Sequence, residues 1–181
     1  MYKPSRVLTN DTGIDGRKNI YSLPAMRRMK VPMLPVGRLD YLTEGVLILT
    51  NDGDLNHALS RSRVNIEREY QVFLEGRVTS EDEAKVRKGI RLSDGQTGPV
   101  KLKYLDSHDG ESIYRMIVGQ GRQQIVRRIF EKLGYKIKKL VRVSFAGVDL
   151  PPDLKLGDVR ALTSSEIAQL KRSAQQAEEE A

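Results

Sequence analysis

Residues 111–134 read ESIYRMIVGQGRQQIVRRIFEKLG, and this stretch predicts a strand followed by a helix. β-Branched and aromatic residues are frequent from 111 to 118, and the turn at 107–110 joins this segment to a second predicted strand at 98–105. Gly119 and Gly121 then interrupt the pattern. From 123 to 133 the apolar residues recur at the spacing of a helix, which Gly134 ends. A strand and a helix joined by a Gly-rich loop indicate an α+β chain.

Further elements are predicted on both sides of this stretch. In chain order they are turns at 11–13 and 15–16, a buried central strand at 45–50, a helix at 54–60, a half-buried strand at 67–75, a helix from about 80 to Gly89, a strand at 137–148 and a helix at 163–180. Residues 45–50 are apolar at successive positions, which is typical of a strand covered on both faces. We expect one domain over residues 1–172, built of two subdomains that share one sheet, and an acidic, frayed tail at 173–181.

The composition restricts the function more than the fold. The chain has 181 residues, with 31 Lys and Arg against 24 Asp and Glu, a formal net charge of +7 and a pI near 9.6. This excess predicts a polyanionic partner, nucleic acid first and an anionic membrane surface second. Cysteine is absent and there are two histidines, His57 and His108, far apart in the sequence. Thiolate chemistry, a zinc site and a Ser-His-Asp triad are therefore not expected.

Residues 35–45, PVGRLDYLTEG, form a predicted loop before the most apolar strand. Asp40 lies in this loop beside Arg38, and loops held by a rigid scaffold often carry function. One alternative is an aspartate that only caps its own loop. Another is a glycosidase pair formed by Asp40 and Glu44. The second is disfavoured because the chain has no Trp and three Phe, which leaves little aromatic surface for a sugar.

A basic stretch follows the Gly-rich loop: residues 121–142 contain eight basic residues and one acid. It is either a solvated face or a surface that contacts phosphates, and the net charge of the chain favours phosphates. Tyr70, on the alternating strand, is either a core residue or a platform on which a nucleic-acid base stacks.

Taken together, these segments resemble the RsuA-type family of bacterial ribosomal RNA pseudouridine synthases. The resemblance covers about residues 2–170 in the family's order. The segments that carry it are YKP at 2–4, GRLDYLTEGVLILTNDGDL at 37–55, EREYQV at 67–72, DGQTGPV at 94–100 and GQGRQQIVRRIFEKLGYKIKKLVRV at 119–143. The resemblance implies a bent, mostly antiparallel mixed sheet with flanking helices and a central catalytic cleft. It also implies isomerisation of a uridine to pseudouridine without a metal or organic cofactor.

The family's functional residues map onto positions of this chain. The resemblance implies Asp40 as the catalytic carboxylate, Tyr70 as the residue that stacks on the target base, and Arg127 as the partner of Asp40, with Arg38 as the local alternative. A neighbouring guanidinium is expected to lower the pKa of Asp40. The RNA-binding surface is expected to include Arg38, Arg122, Arg128, Lys138 and Lys139, with Arg27, Arg28 and Lys30 adding to it.

The chain departs from the family pattern in three places. Ile125 stands where Gln or Glu is frequent, Ser5-Arg6 replaces the usual Lys/Arg-Gly, and we expect the catalytic domain without the small N-terminal RNA-binding domain that many members carry. We expect a cytoplasmic monomer that modifies ribosomal RNA, the large subunit before the small. The alternative is a non-catalytic RNA-binding or ribosome-assembly factor. It is disfavoured because an aspartate facing phosphates would weaken binding.

Overall fold

A seven-stranded mixed sheet organises the chain in the computed structural model, which describes residues 1–10, 16–60 and 65–179. The predicted turn at 11–13 and the start of the one at 15–16 lie outside the described residues. The described strands are β1 (Tyr2–Lys3), β2 (Leu34–Pro35), β3 (Glu44–Val46), β4 (Leu49–Thr50), β5 (Arg68–Glu75), β6 (Arg91–Leu92), β7 (Gly95–Gln96), β8 (Lys101–His108), β9 (Glu111–Val118), β10 (Ile137–Phe145) and β11 (Val148–Asp149). The described α-helices are α1 (Pro24–Arg27), α2 (Gly53–Ser60), α3 (Ser80–Lys88), α4 (Ile125–Lys132) and α5 (Ser164–Glu179).

The strands of the large sheet follow the order β1-β3-β10-β5-β9-β8, and β11 pairs with β10. The β3–β10 pair is parallel and the other pairs are antiparallel, as the predicted mostly antiparallel mixed sheet requires. Strand β3 reaches β10 at Gly45, opposite Arg142. A Cβ atom at position 45 would overlap the Arg142 backbone, and Gly45 has a φ of +129°. Only glycine fits this close approach.

The single strand predicted at 45–50 was wrong, because the chain leaves the large sheet in its middle. Strand β3 ends at Val46, and β4 pairs with β2 in a separate two-stranded sheet. Between them the Leu47 amide donates to the Met1 carbonyl (2.9 Å) and the Ile48 carbonyl accepts from the Val36 amide (2.9 Å). The expected burial on both faces is confirmed, since Val46, Leu47 and Ile48 are all buried.

Two apolar cores explain why this segment is buried on both faces. The first core includes Leu47 and lies between one face of the sheet and α3 and α4, with Val72, Tyr114 and Phe130 at its centre. The second includes Val46 and packs the sheet against α2 and α5. Successive side chains of the segment therefore enter different cores.

The helices follow the sequence closely. Helix α3 begins after Thr79, whose side chain accepts a hydrogen bond from the Asp82 amide, and ends at Gly89, as predicted. Helix α2 is capped by Asp52, which accepts from the Leu55 amide (3.0 Å). Residues 173–179 belong to α5, as the helix predicted at 163–180 requires, and the fraying of the acidic tail 173–181 stays a prediction. Ala174 and Ala177 lie on the same face as Leu170 and are buried in the second core, so the helix end is held by packing.

Candidate active site

A cleft of about 470 Å³ lies where the loop 37–43, the loop before α4, and the strands β5 and β10 meet. It is large enough for a small ligand or a flipped nucleotide, since ligand pockets span roughly 300–1,000 Å³. Its lining brings together Asp40, Tyr70 and Arg127, three residues that are far apart in the sequence, and adds Arg38 and Arg122 from the predicted RNA-binding set.

Asp40 is held at the edge of the first core by the loop that carries it. The neighbouring Leu39 is buried, and its backbone is fixed on both sides by Thr9: the Thr9 Oγ1 donates to the Leu39 carbonyl (2.8 Å) and accepts from the Leu39 amide (3.1 Å). The Asp40 carbonyl accepts from the Thr43 amide (3.0 Å), which closes a tight turn. The carboxylate therefore sits on a rigid loop, half-buried in the cleft.

Burial raises the pKa of Asp40 above its ordinary value. Four cations act in the opposite direction, in decreasing order Arg127, Lys3, Arg38 and Arg142, and they do not cancel the effect of burial. The expected influence of a neighbouring guanidinium is confirmed, since Arg127 lowers the pKa of Asp40, but desolvation is the larger effect and the net shift is upward.

Arg127 exerts the strongest cationic influence on Asp40 and is tied to the same loop. It lies in the first turn of α4, and its Nη2 donates to the Leu42 carbonyl (3.1 Å) and contacts the Thr43 Oγ1 (3.4 Å). Its Nε is buried without a hydrogen-bond partner. Burial lowers the pKa of Arg127, while Asp40 raises it. Arg38, the local alternative, lies exposed on the rim of the cleft, and its effect on Asp40 ranks below those of Arg127 and Lys3.

Lys3 belongs to the surroundings of Asp40, although the predictions from sequence gave it no role. Its side chain is fully buried and donates to the carbonyls of Pro4 (2.9 Å) and Val7 (2.7 Å). Burial lowers the pKa of Lys3 to about 8, and Asp40 is the strongest influence in the opposite direction.

Tyr70 lies on the floor of the cleft with only 8% of its surface exposed. It is a residue of β5, and its neighbours across the sheet are Arg142 on β10 and Met116 on β9. Tyr70 is thus both a core residue and a cleft residue, so the two alternatives from sequence are not exclusive.

Two further arginines, Arg68 and Arg142, line the floor on either side of Tyr70, and sequence reasoning gave neither a role in the site. The Arg68 Nη1 donates to the carbonyls of Ile66 (2.6 Å) and Gly119 (2.7 Å). A signal for Arg68 was present, because it stands two residues before Tyr70 on an alternating strand and shares its face. No local pattern identifies Arg142, because its position depends on the pairing of β10 with β5.

At the rim, Arg122 and Arg128 share one carboxylate, that of Asp94. Asp94 stands in the hairpin formed by β6 and β7, between the two strands. The Arg122 Nε lies 3.1 Å from the Asp94 Oδ2, the Arg128 Nη1 lies 2.9 Å from the same oxygen, and the Nη2 atoms of both arginines contact the Oδ1. Arg128, then Arg122, hold the pKa of Asp94 well below its ordinary value. These two arginines are therefore paired in the free protein.

The other predicted RNA-binding residues do not line the cleft. Lys138 pairs with Glu75 (3.1 Å) and Lys139 with Glu44 (3.1 Å). The supplementary Arg27, Arg28 and Lys30 are exposed in and after α1 and are likewise absent from the lining. The basic stretch 121–142 is therefore split: its first part borders the cleft, while its lysines on β10 point elsewhere.

Ile125, which departs from the family pattern, is buried and lines the cleft beside Val126. Across residues 1–10, 16–60 and 65–179, no three His, Asp or Glu side chains gather closely enough to hold a metal ion. Over the same residues, no helix is both long and apolar enough to cross a membrane.

Comparisons with known proteins agree on one family. Residues 1–132 match the family described as RNA pseudouridylate synthase. The chain is 35% identical over 173 residues to the ribosomal large subunit pseudouridine synthase B of Bacillus subtilis, covering 94% of this chain and 70% of that one. It is also 35% identical over 163 residues to the protein of that name from Escherichia coli K12, where it spans 53% of the relative's length. A crystal structure described as pseudouridylate synthase superposes with a TM-score of 0.80 at 30% identity, covering 94% of this chain and 71% of that chain.

Proposed function

Because this chain belongs to the RNA pseudouridylate synthase family, we propose that it isomerises a uridine of ribosomal RNA to pseudouridine, with Asp40 as the catalytic carboxylate. The observation that supports the role of Asp40 most directly is its position: it is a half-buried carboxylate inside a cleft whose other charged groups are mostly guanidinium ions. Relatives named for the large ribosomal subunit support that subunit's RNA as the substrate.

The proposed reaction is an internal rearrangement of the nucleotide. The N1–C1′ bond breaks and its electron pair stays on the uracil ring. Asp40 either bonds to C1′ and is displaced again when C5 attacks, or removes the C2′ proton to give a glycal and returns this proton to C2′ when C5 adds to C1′. The base then turns, C5 bonds to C1′, the C5 proton leaves and N1 gains a proton. Atoms and charge balance without a redox step, so one carboxylate suffices as nucleophile or base.

The surroundings of Asp40 suit both of these roles. Burial makes the carboxylate a stronger base and a less solvated nucleophile than an exposed aspartate. Arg127 limits this effect, because a carboxylate that stayed protonated would be inactive as a nucleophile. Fixed through Leu42 and Thr43, Arg127 keeps its charge close to the loop that carries Asp40.

Tyr70 is proposed to stack on the target base and to assist removal of the C5 proton. Its ring forms part of the floor of the cleft beside Leu140 and Phe145. A uridine paired in RNA cannot reach this depth, so the base has to be flipped out of its helix. Arg38 and Arg122, at the cleft rim, are proposed to contact the phosphates on either side of the flipped nucleotide.

The experiment that tests this function is tritium release from C5-tritiated uridine in large-subunit ribosomal RNA transcripts. Wild type is expected to release tritium, and Asp40→Asn to release none above background. Asp106→Asn is a matched control, because Asp106 is exposed on β8, outside the lining of the cleft, and accepts a hydrogen bond from the adjacent Ser107 amide. Equal release by wild type and Asp40→Asn would contradict the role of Asp40.

The same assay separates the enzyme from a non-catalytic RNA-binding or assembly factor. Such a factor would bind the transcripts without releasing tritium. It is not favoured, since a half-buried carboxylate brings no benefit to a surface that holds phosphates. We further propose that the protein acts as a monomer on ribosomal RNA in the cytoplasm, which light scattering of the free protein and of its RNA complex would test for oligomeric state.

A further inference from the structure

Arg142 is the most deeply buried charged side chain of the cleft. It stands on β10, directly across from Tyr70 on β5, and only 2% of its surface is exposed. It nevertheless lines the cleft. Arginine is almost never fully buried unless its charge is paired. The partners of Arg142 therefore show whether the folded protein compensates for the burial of its charge.

The partners of Arg142 leave part of its guanidinium unused. Its Nε donates to the Val46 carbonyl (2.9 Å), and its Cζ lies 4.8 Å from the centre of the Phe145 ring. Its Nη2 is buried and has no hydrogen-bond partner. Among residues 1–10, 16–60 and 65–179, no carboxylate oxygen lies within 4.0 Å of it. Burial lowers the pKa of Arg142. Tyr70, through its charge and a side-chain hydrogen bond, and then Asp40 act in the opposite direction without cancelling this effect.

A buried guanidinium nitrogen without a partner lowers the stability of the folded protein, so folding by itself gives no reason for it. A buried polar group without a hydrogen bond destabilises the folded state, and a charged group does so more strongly. Arg68 provides a contrast at the same depth of the cleft, because its guanidinium donates to two backbone carbonyls. The unpartnered nitrogen of Arg142 therefore points to a missing acceptor, one that arrives with the substrate.

We infer that Arg142 donates a hydrogen bond to a carbonyl oxygen of the flipped uracil and stabilises the negative charge that the ring acquires when the N1–C1′ bond breaks. This inference rests on the proposed function and assigns it a further substrate-contacting residue. The electron pair released from the N1–C1′ bond is delocalised onto N1, O2 and O4. A preorganised cation that faces one of these oxygens in a water-excluded site lowers the barrier to bond cleavage.

The acceptor is the base rather than a phosphate, because Arg142 is buried deep in the cleft. Arg142 is 2% exposed and stands directly across from Tyr70 on the neighbouring strand, so a base stacked on Tyr70 would lie beside it, whereas phosphates are expected at the exposed rim. Uracil offers two carbonyl oxygens as acceptors. Cytosine presents an amino donor in place of O4, which would oppose the guanidinium if O4 is the oxygen contacted.

The test combines changes of the side chain with changes of single substrate atoms. Wild type, Arg142→Met and Arg142→Lys are compared on transcripts that carry uridine, 2-thiouridine or 4-thiouridine at the target position. Single-turnover rate constants and dissociation constants are measured separately. Sulfur is a poorer acceptor than oxygen, so the atom that Arg142 contacts should show a thio penalty only when the guanidinium is present.

In wild type, one of the two thio substitutions is expected to lower the rate constant at least tenfold with little change in affinity. Arg142→Met is expected to lower the rate constant on uridine about 100-fold, the effect of removing one charged hydrogen bond, and to show no thio penalty. Arg142→Lys should recover part of both effects. Arg68→Met is the control, because it removes the guanidinium of another buried arginine of the cleft, and it is expected to keep the wild-type thio penalty.

A thio penalty of the same size in wild type and in Arg142→Met would overturn the inference, and so would a wild type indifferent to both substitutions. If Arg142→Met does not fold, Arg142→Lys and the wild-type thio series still decide the question. Failure of wild type to release tritium from unmodified transcripts would instead contradict the proposed function. The two failures are therefore distinguishable.

Discussion

The floor and the rim of the cleft both carry arginines, but the arginines of the two regions differ in whether their guanidinium groups have partners. At the rim, Arg122 and Arg128 converge on Asp94 and share its single negative charge. On the floor, Arg127 and Arg142 each keep one buried nitrogen without a hydrogen-bond partner. The two rim arginines are paired in the free protein and Arg68 on the floor donates to two carbonyls, whereas Arg127 and Arg142 each retain an unpartnered nitrogen.

This difference assigns the two regions different tasks. The Asp94 carboxylate lies partly exposed at the rim, where an incoming phosphate can compete with it for both guanidinium ions. Unsatisfied groups inside a cleft persist only where the surrounding fold holds them, and they gain most when a ligand supplies the missing partner. We therefore expect changes at the floor to alter the rate of isomerisation and changes at the rim to alter RNA affinity.

Among the arginines, the largest effect is expected from Arg127→Met, on the floor of the cleft. The substitution keeps the length of the side chain and removes the charge that acts most strongly on Asp40. The single-turnover rate constant should fall about 100-fold or more, with affinity for RNA changed only a few-fold. Arg122→Met is the control at the rim. A decrease in affinity larger than the decrease in rate for Arg127→Met would break the distinction between floor and rim.

The next effect concerns pH, because Asp40 has to be ionised to act. Burial raises its pKa above the ordinary value of 3.8, so kcat/KM should fall on acidification with a midpoint above 3.8. Below this midpoint each pH unit should cost about tenfold in rate. Arg127 lowers the pKa of Asp40. In Arg127→Met, the decline of kcat/KM on acidification should therefore have its midpoint at a higher pH than in wild type. A midpoint that stays in place would show that Arg127 does not act on the charge of Asp40.

Local sequence patterns predicted most elements of the fold. Helix α3 has its cap at Thr79 and its stop at Gly89, and β5 has the alternation that places Tyr70 inward; such signals need no knowledge of distant residues. The division of residues 45–50 was not predictable in this way. Each half of that segment has its own partner, β10 or β2, and pairing between distant strands leaves no local mark.

The candidate site shows the same limit. Asp40, Tyr70 and Arg127 were identified through a family resemblance, and the fold brings all three into one cleft. Lys139 and Arg142 lie in the same basic stretch, yet the first pairs with Glu44 away from the lining and the second lies inside the cleft. The register of β10 against β5 is regular between these two positions, so the alternation of side chains places residues three apart on opposite faces, and only the assembled sheet shows which face meets the cleft.

At the rim, smaller effects on RNA affinity are expected. Arg122→Gln and Arg128→Gln should each weaken binding a few-fold and reduce the slope of log K against log salt by about 0.7–0.9 for each phosphate that is no longer neutralised. Asp94→Asn should act oppositely, since it frees both guanidinium ions for phosphates. Arg115→Gln is the matched control, because Arg115 forms a similar two-bond pair with Glu69 on the sheet face opposite Tyr70. A control slope that changes equally would show that binding is not confined to this rim.

The smallest effect, on stability, distinguishes the two aspartates by sign. Folding raises the pKa of Asp40, so its ionised form destabilises the folded state at neutral pH, and this cost disappears as pH falls through its folded pKa. Folding lowers the pKa of Asp94, so its ionised form stabilises the folded state above the unfolded value of about 3.9, and this gain disappears as pH falls below it. At pH 7, Asp40→Asn should therefore raise the midpoint of thermal unfolding and Asp94→Asn should lower it slightly, with both differences shrinking toward low pH. If both variants changed the midpoint of thermal unfolding in the same direction, the contrast between the two regions would be contradicted. That contrast is between a floor whose charged groups lack partners until substrate binds and a rim whose charged groups are already paired.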